Sequence, residues 1–322
     1  MKGGNIAVNR KVRDYRDGDS VEGYFLLKDA QEKTGKNNTR YMDLILSDDT
    51  GDINGKIWSC KEGMQSEFEK SCIVKIRGTV KNWNSQLQIN IEKIRHANEG
   101  DGVSISNFIA SAPESSAIMY EMVLAYTDKI RNLQIKQLVS EIIKRKEAKL
   151  KYFPAAKSNH HAVRSGLLYH ITTMLKMADK VMEVYDLDSD LLYAGVILHD
   201  IEKTDELDSN EFGITADYTE EGKLLGHIIM GIKLVERVGA QLRTDPDILY
   251  MIQHMIYCHH YEPEYGSPLK PMFKEAEMLH YLDVMDARMY DFTQVENSIT
   301  TGNFSEKIWS LHSRQIYKPN LK

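Results

Sequence analysis

The chain has 322 residues, of which 42% are hydrophobic and 27% are charged, and its formal net charge is −6. This length favours two compact units, and no stretch comes near the roughly 18 consecutive apolar residues that a membrane-spanning helix needs. Residues 1–100 carry 17 basic and 15 acidic side chains and the remainder carries 24 and 32, so the acidic second part argues against broad electrostatic wrapping of DNA.

The first 20 residues are polar and carry charges of both signs, without the apolar core of a secretory signal. The three cysteines, Cys60, Cys72 and Cys258, form no Cys-x-x-Cys pair, which is typical of reduced thiols that bind no zinc. We therefore expect a cytoplasmic protein that does not associate with membranes.

From Val21 to about Ala97 the pattern predicts β-strands, because short β-rich runs alternate with Gly, Asn and Asp turns. Five runs are clear: residues 24–27, 41–46, 55–58, 73–78 and 87–91. The turn at residues 48–52 has hairpin chemistry, since Gly and Asp tolerate the left-handed backbone that such turns need. This spacing indicates a small five-stranded barrel.

Small barrels that bind single-stranded nucleic acid combine basic side chains with rings on which bases stack. Trp83 is the first candidate ring, because it lies in a polar loop where a structural role is less obvious, whereas Phe25 is expected in the core. The full set of candidate nucleic-acid contacts is Arg40, Tyr41, Lys56, Trp58, Lys81 and Trp83.

After a polar stretch at residues 98–106 the period changes to that of helices, as in residues 119–145 and 163–185. We therefore place a domain boundary near residue 100. The expected division is a barrel at 1–100, a helical linker region at 101–155 and a helical catalytic domain at 156–322. Apolar helix faces between residues 118 and 149 favour either interdomain packing or a homo-oligomer.

Histidines and aspartates within the helical part form the strongest chemical pattern. Its members are His170, His199, Asp200, His227, His259, His260 and Asp283. Imidazole and carboxylate suit Mn, Fe, Co, Ni or Zn, so the set indicates a metal site. A single helical histidine is more often structural, but this many chemically matched positions favour ligands. Neighbouring ligands such as His199 and Asp200 are offset by about 100° on a helix, which suits one or two ions.

The sequence around these residues resembles the motifs of HD-domain phosphohydrolases over residues 155–295. The matching segments are Gly166-Leu167-Leu168-Tyr169-His170, Leu198-His199-Asp200-Ile201-Glu202-Lys203, Gly226-His227 and Leu279-His280-Tyr281-Leu282-Asp283. More closely, residues 224–228, 258–268 and 283–288 resemble the YhaM-like 3′→5′ exoribonucleases. The resemblance extends to an N-terminal OB fold through residues 22–28 and 44–58. One position departs from the family pattern, since relatives usually carry Gly where this chain has Glu202.

The resemblance implies that His170, His199, Asp200 and Asp283 hold the principal metal. His227 and one of His259 or His260 would then face a second ion or the scissile phosphate. Mn²⁺ is the expected ion, with Co²⁺, Fe²⁺, Ni²⁺ and Zn²⁺ as alternatives, in one or two copies.

Other residues have expected supporting roles. Asp200 would also orient water. Lys203 would either contact phosphate as a catalytic cation or lie on the solvated surface, and the same two alternatives hold for Arg164. His161 and Asp286 are candidate partners for the outer nitrogens of metal-bound imidazoles. The remaining histidines, His160, His254 and His280, are expected to be structural.

The expected fold is multidomain α+β, with an N-terminal five-stranded OB-type barrel followed by an all-α HD domain. The expected function is metal-dependent 3′→5′ exonuclease activity on single-stranded RNA, with DNA as an alternative substrate. Two competing hypotheses stay open. One is an HD hydrolase of a small nucleotide, and the other is a nucleic-acid-binding protein whose HD half is a non-catalytic scaffold.

Overall fold

A computed structural model describes residues 10–35, 39–58, 60, 63–64, 68, 72–84, 86–103, 107–157 and 161–321. The chain divides into two compact units, residues 1–111 and 112–322. Each unit has its own hydrophobic core and is described by itself.

The first unit is a closed barrel of five strands. The strands are β1 (Ser20–Thr34), β2 (Arg40–Asp48), β3 (Gly51–Trp58), β4 (Cys72–Trp83) and β5 (Gln86–His96). Their order around the barrel is β1-β2-β3-β5-β4. The β3–β5 pair is parallel and the other pairs are antiparallel. Each expected β-rich run lies within one of these strands, so the predicted five-stranded OB-type barrel is confirmed.

Strand alternation places one face of each strand in the barrel interior, where Phe25, Leu44 and Ile76 are buried. The hairpin between β2 and β3 is stabilised by Asp48, whose carboxylate accepts hydrogen bonds from the backbone N–H and the hydroxyl of Thr50 at 2.7 and 2.6 Å. The same carboxylate accepts from the backbone N–H of Val12 at 2.8 Å and so also ties down the segment before β1. This turn chemistry agrees with the sequence pattern at residues 48–52.

The second unit is mainly helical. Its helices are α1 (Ser116–Lys129), α2 (Leu133–Leu150), α3 (Gly166–Met182), α4 (Ser189–Leu198), α5 (Lys203–Glu206), α6 (Glu220–Leu242), α7 (Pro246–Cys258) and α8 (Lys274–Ser298). Two short antiparallel hairpins accompany them, β6 (Leu207–Ser209) with β7 (Thr215–Tyr218) and β8 (Phe304–Ile308) with β9 (Arg314–Tyr317). Among the described residues, no helix is both long and apolar enough to cross a membrane.

Helix α4 lies at the centre of this unit and is buried along its length from Leu191 to Leu198. It contacts α3, α7 and α8, which supply most of the candidate ligands. Helices α1 and α2, which fall in the range 101–155 expected as a linker, pack into the same hydrophobic core through residues such as Val123 and Ile142. The metal-ligand candidates are therefore held by helices that share one core.

Candidate metal centre

The His199-Asp200 pair is positioned by the end of α4. Asp188 caps the start of this helix, since its carboxylate accepts hydrogen bonds from the backbone N–H groups of Asp190 and Leu191 at 2.9 and 3.0 Å. At the other end, the Nδ1 of His199 bonds to the carbonyl oxygen of Val196 at 3.0 Å. Because a carbonyl only accepts, His199 carries its proton on Nδ1 and presents the lone pair of Nε2.

Helix α3 supplies His170, and α8 supplies two carboxylates that hold it. Nδ1 of His170 lies 2.6 Å from Oδ2 of Asp286, and Nε2 lies 3.3 Å from Oδ1 of Asp283. Asp286 also bonds to Nε2 of His161 at 2.8 Å. Asp286 therefore orients His170 from behind, the arrangement expected of an outer partner to a metal-bound imidazole.

Helix α6 supplies His227 through a local break in the helix. Gly226 has φ +68° and ψ 160°, a left-handed backbone that glycine adopts without steric cost. The break frees the backbone N–H of His227, which donates to Oε1 of Glu206 at 3.0 Å. Nδ1 of His227 lies 3.1 Å from the same oxygen and 3.2 Å from Oε2. Glu206 thereby orients the ring as Asp286 orients His170.

The end of α7 supplies both His259 and His260. Nδ1 of His259 bonds to the carbonyl oxygen of Ile256 at 2.7 Å, and Nδ1 of His260 bonds to the carbonyl oxygen of Tyr265 at 2.6 Å. Both rings therefore have Nε2 as the nitrogen left for a ligand. His259 is fully buried and His260 is half-buried.

The outer nitrogens of these rings are all hydrogen-bonded, whereas the inner ones converge on Asp200. Oδ2 of Asp200 lies 3.4 Å from Nε2 of His199 and 3.9 Å from Nε2 of His170. Oδ1 lies 3.3 Å from Nε2 of His227 and 3.6 Å from Nε2 of His259. The carboxylate therefore faces two groups of histidines with its two oxygens.

Several of these inner atoms are buried without a hydrogen-bond partner among the described residues. They are Nε2 of His170, His199, His227 and His259 together with Oδ1 of Asp200. Leaving a buried polar atom unpaired costs on the order of 1–3 kcal/mol, so five such atoms in one place need an explanation. A divalent cation fits this donor set, because it would accept nitrogen and oxygen lone pairs at once.

Candidate ligand atoms lie within 4.8 Å of one another in overlapping groups. One contains His170, His199 and Asp200, another contains His199, His259 and Asp283, and a third contains Asp200, His227, His259 and His260. The structure therefore brings together every residue that the sequence analysis assigned to the metal. His161, His170 and Asp286 form a further group behind the first.

The electrostatics of the centre favour a cation. Burial would raise the pKa of Asp200, but Lys203 and His199 outweigh it and hold that pKa well below its usual value. Burial would likewise raise the pKa of Asp283, but the neighbouring imidazole of His170 outweighs it and lowers that pKa. For His170 burial lowers the pKa, but Asp283 and Asp286 outweigh it and raise the pKa to about 10. Both carboxylates thus stay ionised and attract positive charge.

Comparison with known proteins agrees with this geometry. An OB-fold nucleic acid binding domain model matches residues 20–97, and an HD domain model matches residues 167–288. The 3′-5′ exoribonuclease YhaM of Geobacillus sp. (strain WCH70) is 38% identical over 306 residues, which cover 95% of this chain and 94% of that protein. This chain belongs to the YhaM family.

Two solved OB-fold domains resemble the barrel segment. The second OB-fold domain of replication protein A from Methanococcus maripaludis is 28% identical, with a TM-score of 0.24, over 28% of this chain and 96% of that domain. The OB domain of a Thermoplasma acidophilum protein is 20% identical, with a TM-score of 0.22, over 28% of this chain and 86% of that domain.

Lys203 and Arg164 have different surroundings in this YhaM-family chain. The ammonium of Lys203 donates to Oδ2 of Asp200 at 2.6 Å, inside the metal centre. Burial lowers the pKa of Lys203, but Asp200 outweighs it and raises that pKa. Arg164 instead donates to the carbonyl oxygen of Lys151 at 3.5 Å and to the hydroxyl of Ser165 at 3.3 Å, and no contact joins it to the ligand groups among the described residues.

Glu202, where the family resemblance predicts glycine, pairs with Lys146 of α2. Its Oε1 lies 2.5 Å from the ammonium of Lys146 on α2, and both side chains are buried. Lys146 also bonds to Oδ2 of Asp205 at 2.7 Å, and Asp205 bonds to Lys149 at 2.5 Å. Burial raises the pKa of Glu202, and Lys146 offsets part of this shift. The segment after the HD pair is thereby tied to α2.

Glu206 was missed by sequence reasoning, although it is the outer partner of His227. The sequence shows Glu206 only as an acidic residue shortly after the HD pair. An acidic residue there is equally typical of a solvent-exposed helix surface. Two histidines expected to be structural have structural contacts. His254 accepts from the backbone N–H of Met272 at 3.1 Å, and Nδ1 of His280 bonds to the carbonyl oxygen of His259 at 2.7 Å. His160 lies outside the described residues.

The barrel carries an exposed aromatic and basic face on β2 and β3. Tyr41 and Trp58 are cross-strand partners with ring centroids 5.1 Å apart, and the ammonium of Lys56 lies 4.9 Å from the Tyr41 centroid. Lys56 also pairs with Asp43 at 3.1 Å. Trp58 is 55% exposed although its Nε1 donates to Asn90 at 3.3 Å. We call Tyr41, Lys56 and Trp58 the β2–β3 face.

The other barrel candidates lie apart from this face. Trp83 ends β4 and is 67% exposed, and Lys81 is exposed on the same strand. Arg40 pairs with Glu32 at 3.2 Å. Phe25 is buried, as expected for a core ring. The strands around β2 and β3 and the turn between β4 and β5 are the parts of OB folds that bind oligonucleotides.

Proposed function

We propose that this chain is a metal-dependent 3′→5′ exonuclease that hydrolyses the phosphodiester bonds of single-stranded RNA. The observation that carries the proposal is the convergence of four buried imidazole Nε2 atoms on the two oxygens of Asp200. Membership of the YhaM family supports the direction of degradation and the choice of RNA. DNA is the alternative substrate.

The residues of this centre would hold one or two divalent ions. His170 and His199 lie on the Oδ2 side of Asp200, and His227 and His259 lie on the Oδ1 side. Asp283 groups with His199 and His259, one from each side, and His260 groups with His227 and His259. We propose Mn²⁺ as the ion, because a mixed set of imidazole and carboxylate donors suits it; Co²⁺, Fe²⁺, Ni²⁺ and Zn²⁺ suit the same donors.

Bound ions would supply an acidified water as nucleophile and neutralise charge on the phosphodiester. The protein's own residues contribute orientation and charge. Asp286 and Glu206 fix the tautomers of His170 and His227, so that Nε2 of each ring faces inward. Lys203 adds a permanent positive charge beside Asp200, where it would stabilise a non-bridging phosphate oxygen.

The barrel is proposed to hold the polynucleotide. Tyr41 and Trp58 offer rings on which bases can stack, and Lys56 offers a cation between them for the backbone. Trp83 offers a second exposed ring at the end of β4. A cytoplasmic location and a homo-oligomeric state stay predictions from the sequence.

The direct experiment follows a 5′-labelled 20-nucleotide RNA during incubation with Mn²⁺ and the intact protein. The proposal expects a ladder that shortens from the 3′ end, and its loss in His199→Ala and Asp200→Ala. His254→Gln is the matched control, because this histidine lies on α7 outside the ligand groups and should keep its activity. Release of the label as a mononucleotide at early times would contradict the 3′→5′ direction.

The competing functions give other results in the same assay. Hydrolysis of free nucleotides without cleavage of oligomers would replace the proposal with a small-nucleotide hydrolase. Binding of intact RNA without cleavage under any divalent ion would replace it with a nucleic-acid-binding protein.

A further inference from the structure

The C-terminal hairpin β8–β9 packs on the last turns of α8. In the sequence it lies about 200 residues after the barrel. Leu311 and Ile316 of the hairpin segment are buried against Val295 of α8. Lys318 then bonds to the carbonyl oxygens of Glu296 and Ile299 at 2.6 and 3.2 Å, at the C-terminal end of α8. The hairpin is therefore attached to the helix that supplies Asp283 and Asp286.

The outer surface of this hairpin exposes three aromatic rings. Phe304 and Tyr317 are cross-strand partners with centroids 4.9 Å apart, and they are 64% and 44% exposed. Trp309 lies in the connection between the strands and is 78% exposed. Large rings that stay in water on a well-anchored hairpin point to a binding surface.

Basic side chains surround these rings. Lys307 is exposed in β8, and Arg288 on α8 contacts Nε2 of His312 at 3.0 Å. Arg314 of β9 is exposed as well, but its guanidinium lies over the Phe292 ring of α8 at 5.6 Å and its Nε donates to the carbonyl oxygen of Leu311 at 2.9 Å. Among the described residues, no carboxylate lies within ion-pair distance of these three cations. Glu306 is the one acidic residue between 304 and 318, in a unit whose sequence is otherwise acidic. The surface thus combines exposed rings with uncompensated positive charge.

We propose that Phe304, Lys307, Trp309 and Tyr317, here called the hairpin platform, form a second contact for single-stranded nucleic acid. Base stacking on exposed rings together with cations for the backbone is how proteins hold single strands without reading their sequence. This inference rests on the proposed function, because it concerns the same polynucleotide substrate.

The position of the hairpin platform along α8 sets the part of the substrate that it contacts. Val295 lies nine positions after Asp286 on α8, which is about 14 Å along the helix axis at roughly 1.5 Å per residue. That distance corresponds to roughly four stacked nucleotides at about 3.4 Å each. If one strand contacts both the metal centre and the platform, it must span at least this distance, so the inference expects oligomers of about four nucleotides or fewer not to gain from the platform.

Nucleic acid fits this surface better than a second copy of the chain. The exposed Lys307 lies in the same strand as Phe304, and its burial in a protein interface would require a carboxylate opposite it. A polyanion compensates that charge along its whole length.

The experiment measures KM for a 20-nucleotide and a 4-nucleotide RNA with the intact protein and Mn²⁺. Trp309→Ala and Phe304→Ala should each raise KM for the long RNA roughly fivefold to 100-fold, with less than about twofold change for the short one. Tyr250→Ala is the matched control, since that ring is 65% exposed on α7, outside the hairpin. Its KM should not change.

Charge is tested separately through the salt dependence of binding. Lys307→Ala should reduce the slope of log affinity against log salt by about one for the long RNA. Lys144→Ala, an exposed lysine on α2, should leave the slope unchanged. Anisotropy of a labelled, phosphorothioate-protected 20-mer gives this value even if the protein cleaves no RNA, so failure of the proposed function and failure of the platform are distinguishable.

Two results would overturn the inference. One is an unchanged KM and an unchanged salt slope for the long RNA in the Phe304, Lys307 and Trp309 variants. The other is a lower molecular mass in solution for these variants than for the unchanged protein, with RNA binding unaltered. That result would mean that a second copy of the chain covers this surface.

Discussion

The metal centre and the β2–β3 face both gather functional side chains, but they do so in opposite ways. In the metal centre the converging Nε2 atoms are buried and lack partners among the described residues, while their outer nitrogens are fully bonded. On the β2–β3 face Trp58 is exposed, Tyr41 is half-buried and Lys56 already has a partner in Asp43. Buried unpaired atoms require a specific ligand, whereas an exposed face adapts to many.

The two regions restrict the chemistry of their ligands to different degrees. A buried set of imidazole nitrogens and a carboxylate favours a divalent cation, because one ion accepts several lone pairs at once. An exposed aromatic and basic surface restricts only the class of ligand. We therefore expect substitutions in and around the metal centre to have sharp effects and substitutions on the barrel to have graded ones.

The largest expected effect on stability comes from the buried ion pair between Lys146 and Glu202. Lys146→Met leaves Glu202 buried without its cation, which should lower the free energy of unfolding by about 3–5 kcal/mol in urea titration. Lys149→Met is the matched control, because its ammonium is half-exposed and should cost under about 1 kcal/mol. Equal losses in the two variants would contradict the distinction between buried and exposed pairs.

A double variant sharpens this test. Adding Glu202→Gln to Lys146→Met removes the unpaired charge, so we expect recovery of much of the lost stability. No recovery would mean that Lys146 acts mainly through Asp205.

The next effect concerns Glu206, which holds His227 from behind. Glu206→Gln should lower metal affinity or turnover about 10-fold to 100-fold, because His227 loses a charged partner for Nδ1 and for its backbone N–H. Equilibrium dialysis with Mn²⁺ and the rate of RNA shortening measure the two quantities. Glu220→Gln, an exposed acid at the start of α6, should match the unchanged protein in both.

A smaller and more graded effect is expected on the barrel. Trp58→Ala should weaken binding of a 20-nucleotide RNA by about 1–3 kcal/mol, since it removes a stacking surface but no ligand of the metal. The turnover number with saturating short RNA should stay within about twofold. A large loss of turnover on short RNA would show that the comparison between the two regions is wrong.

The smallest effect is expected for the polar network around Asp179, whose carboxylate is fully hydrogen-bonded. Asp179 accepts hydrogen bonds from Tyr126, Lys129 and Tyr193 at 2.8, 2.9 and 2.5 Å. Burial would raise the pKa of Asp179, but these donors outweigh it and lower that pKa. A lowered folded-state pKa contributes stability above the unfolded value of about 3.9 and loses it as the pH falls.

Asp179→Asn should therefore cost about 1 kcal/mol at pH 7, and the cost should shrink between about pH 5 and pH 2. Urea titrations across this range measure it, with Asp247→Asn as an exposed aspartate for control. A difference that grows as the pH falls would reverse the assigned sign. Activity at pH 7 should not change, because this network holds no candidate ligand.

Much of the fold and the ligand set could be predicted from the sequence. The period-two runs of β1 to β5 and the apolar run before His199 depend on local patterning, which sequence displays directly. His170, His199, Asp200, His227 and Asp283 stand in motifs whose residue types match metal chemistry. These features follow from residues that are close in sequence or belong to a recognisable pattern.

What could not be predicted depends on distant contacts. Glu206 meets His227 only because Gly226 breaks α6, and Glu202 meets Lys146 only because α2 packs behind the HD pair. The hairpin β8–β9 has strands of five and four residues with mixed polarity, too short for a clear period. Arg164 seemed comparable to Lys203 in sequence, yet its contacts are with Lys151 and Ser165.

We propose that the buried Nε2 atoms on both sides of Asp200 would hold two divalent ions. Diffraction from crystals soaked in Mn²⁺, measured at the manganese absorption edge, locates bound ions. We expect two anomalous peaks about 3.5–4 Å apart beside the Asp200 carboxylate. Peaks only at surface carboxylates, with none among His170, His199, His227 and His259, would contradict it.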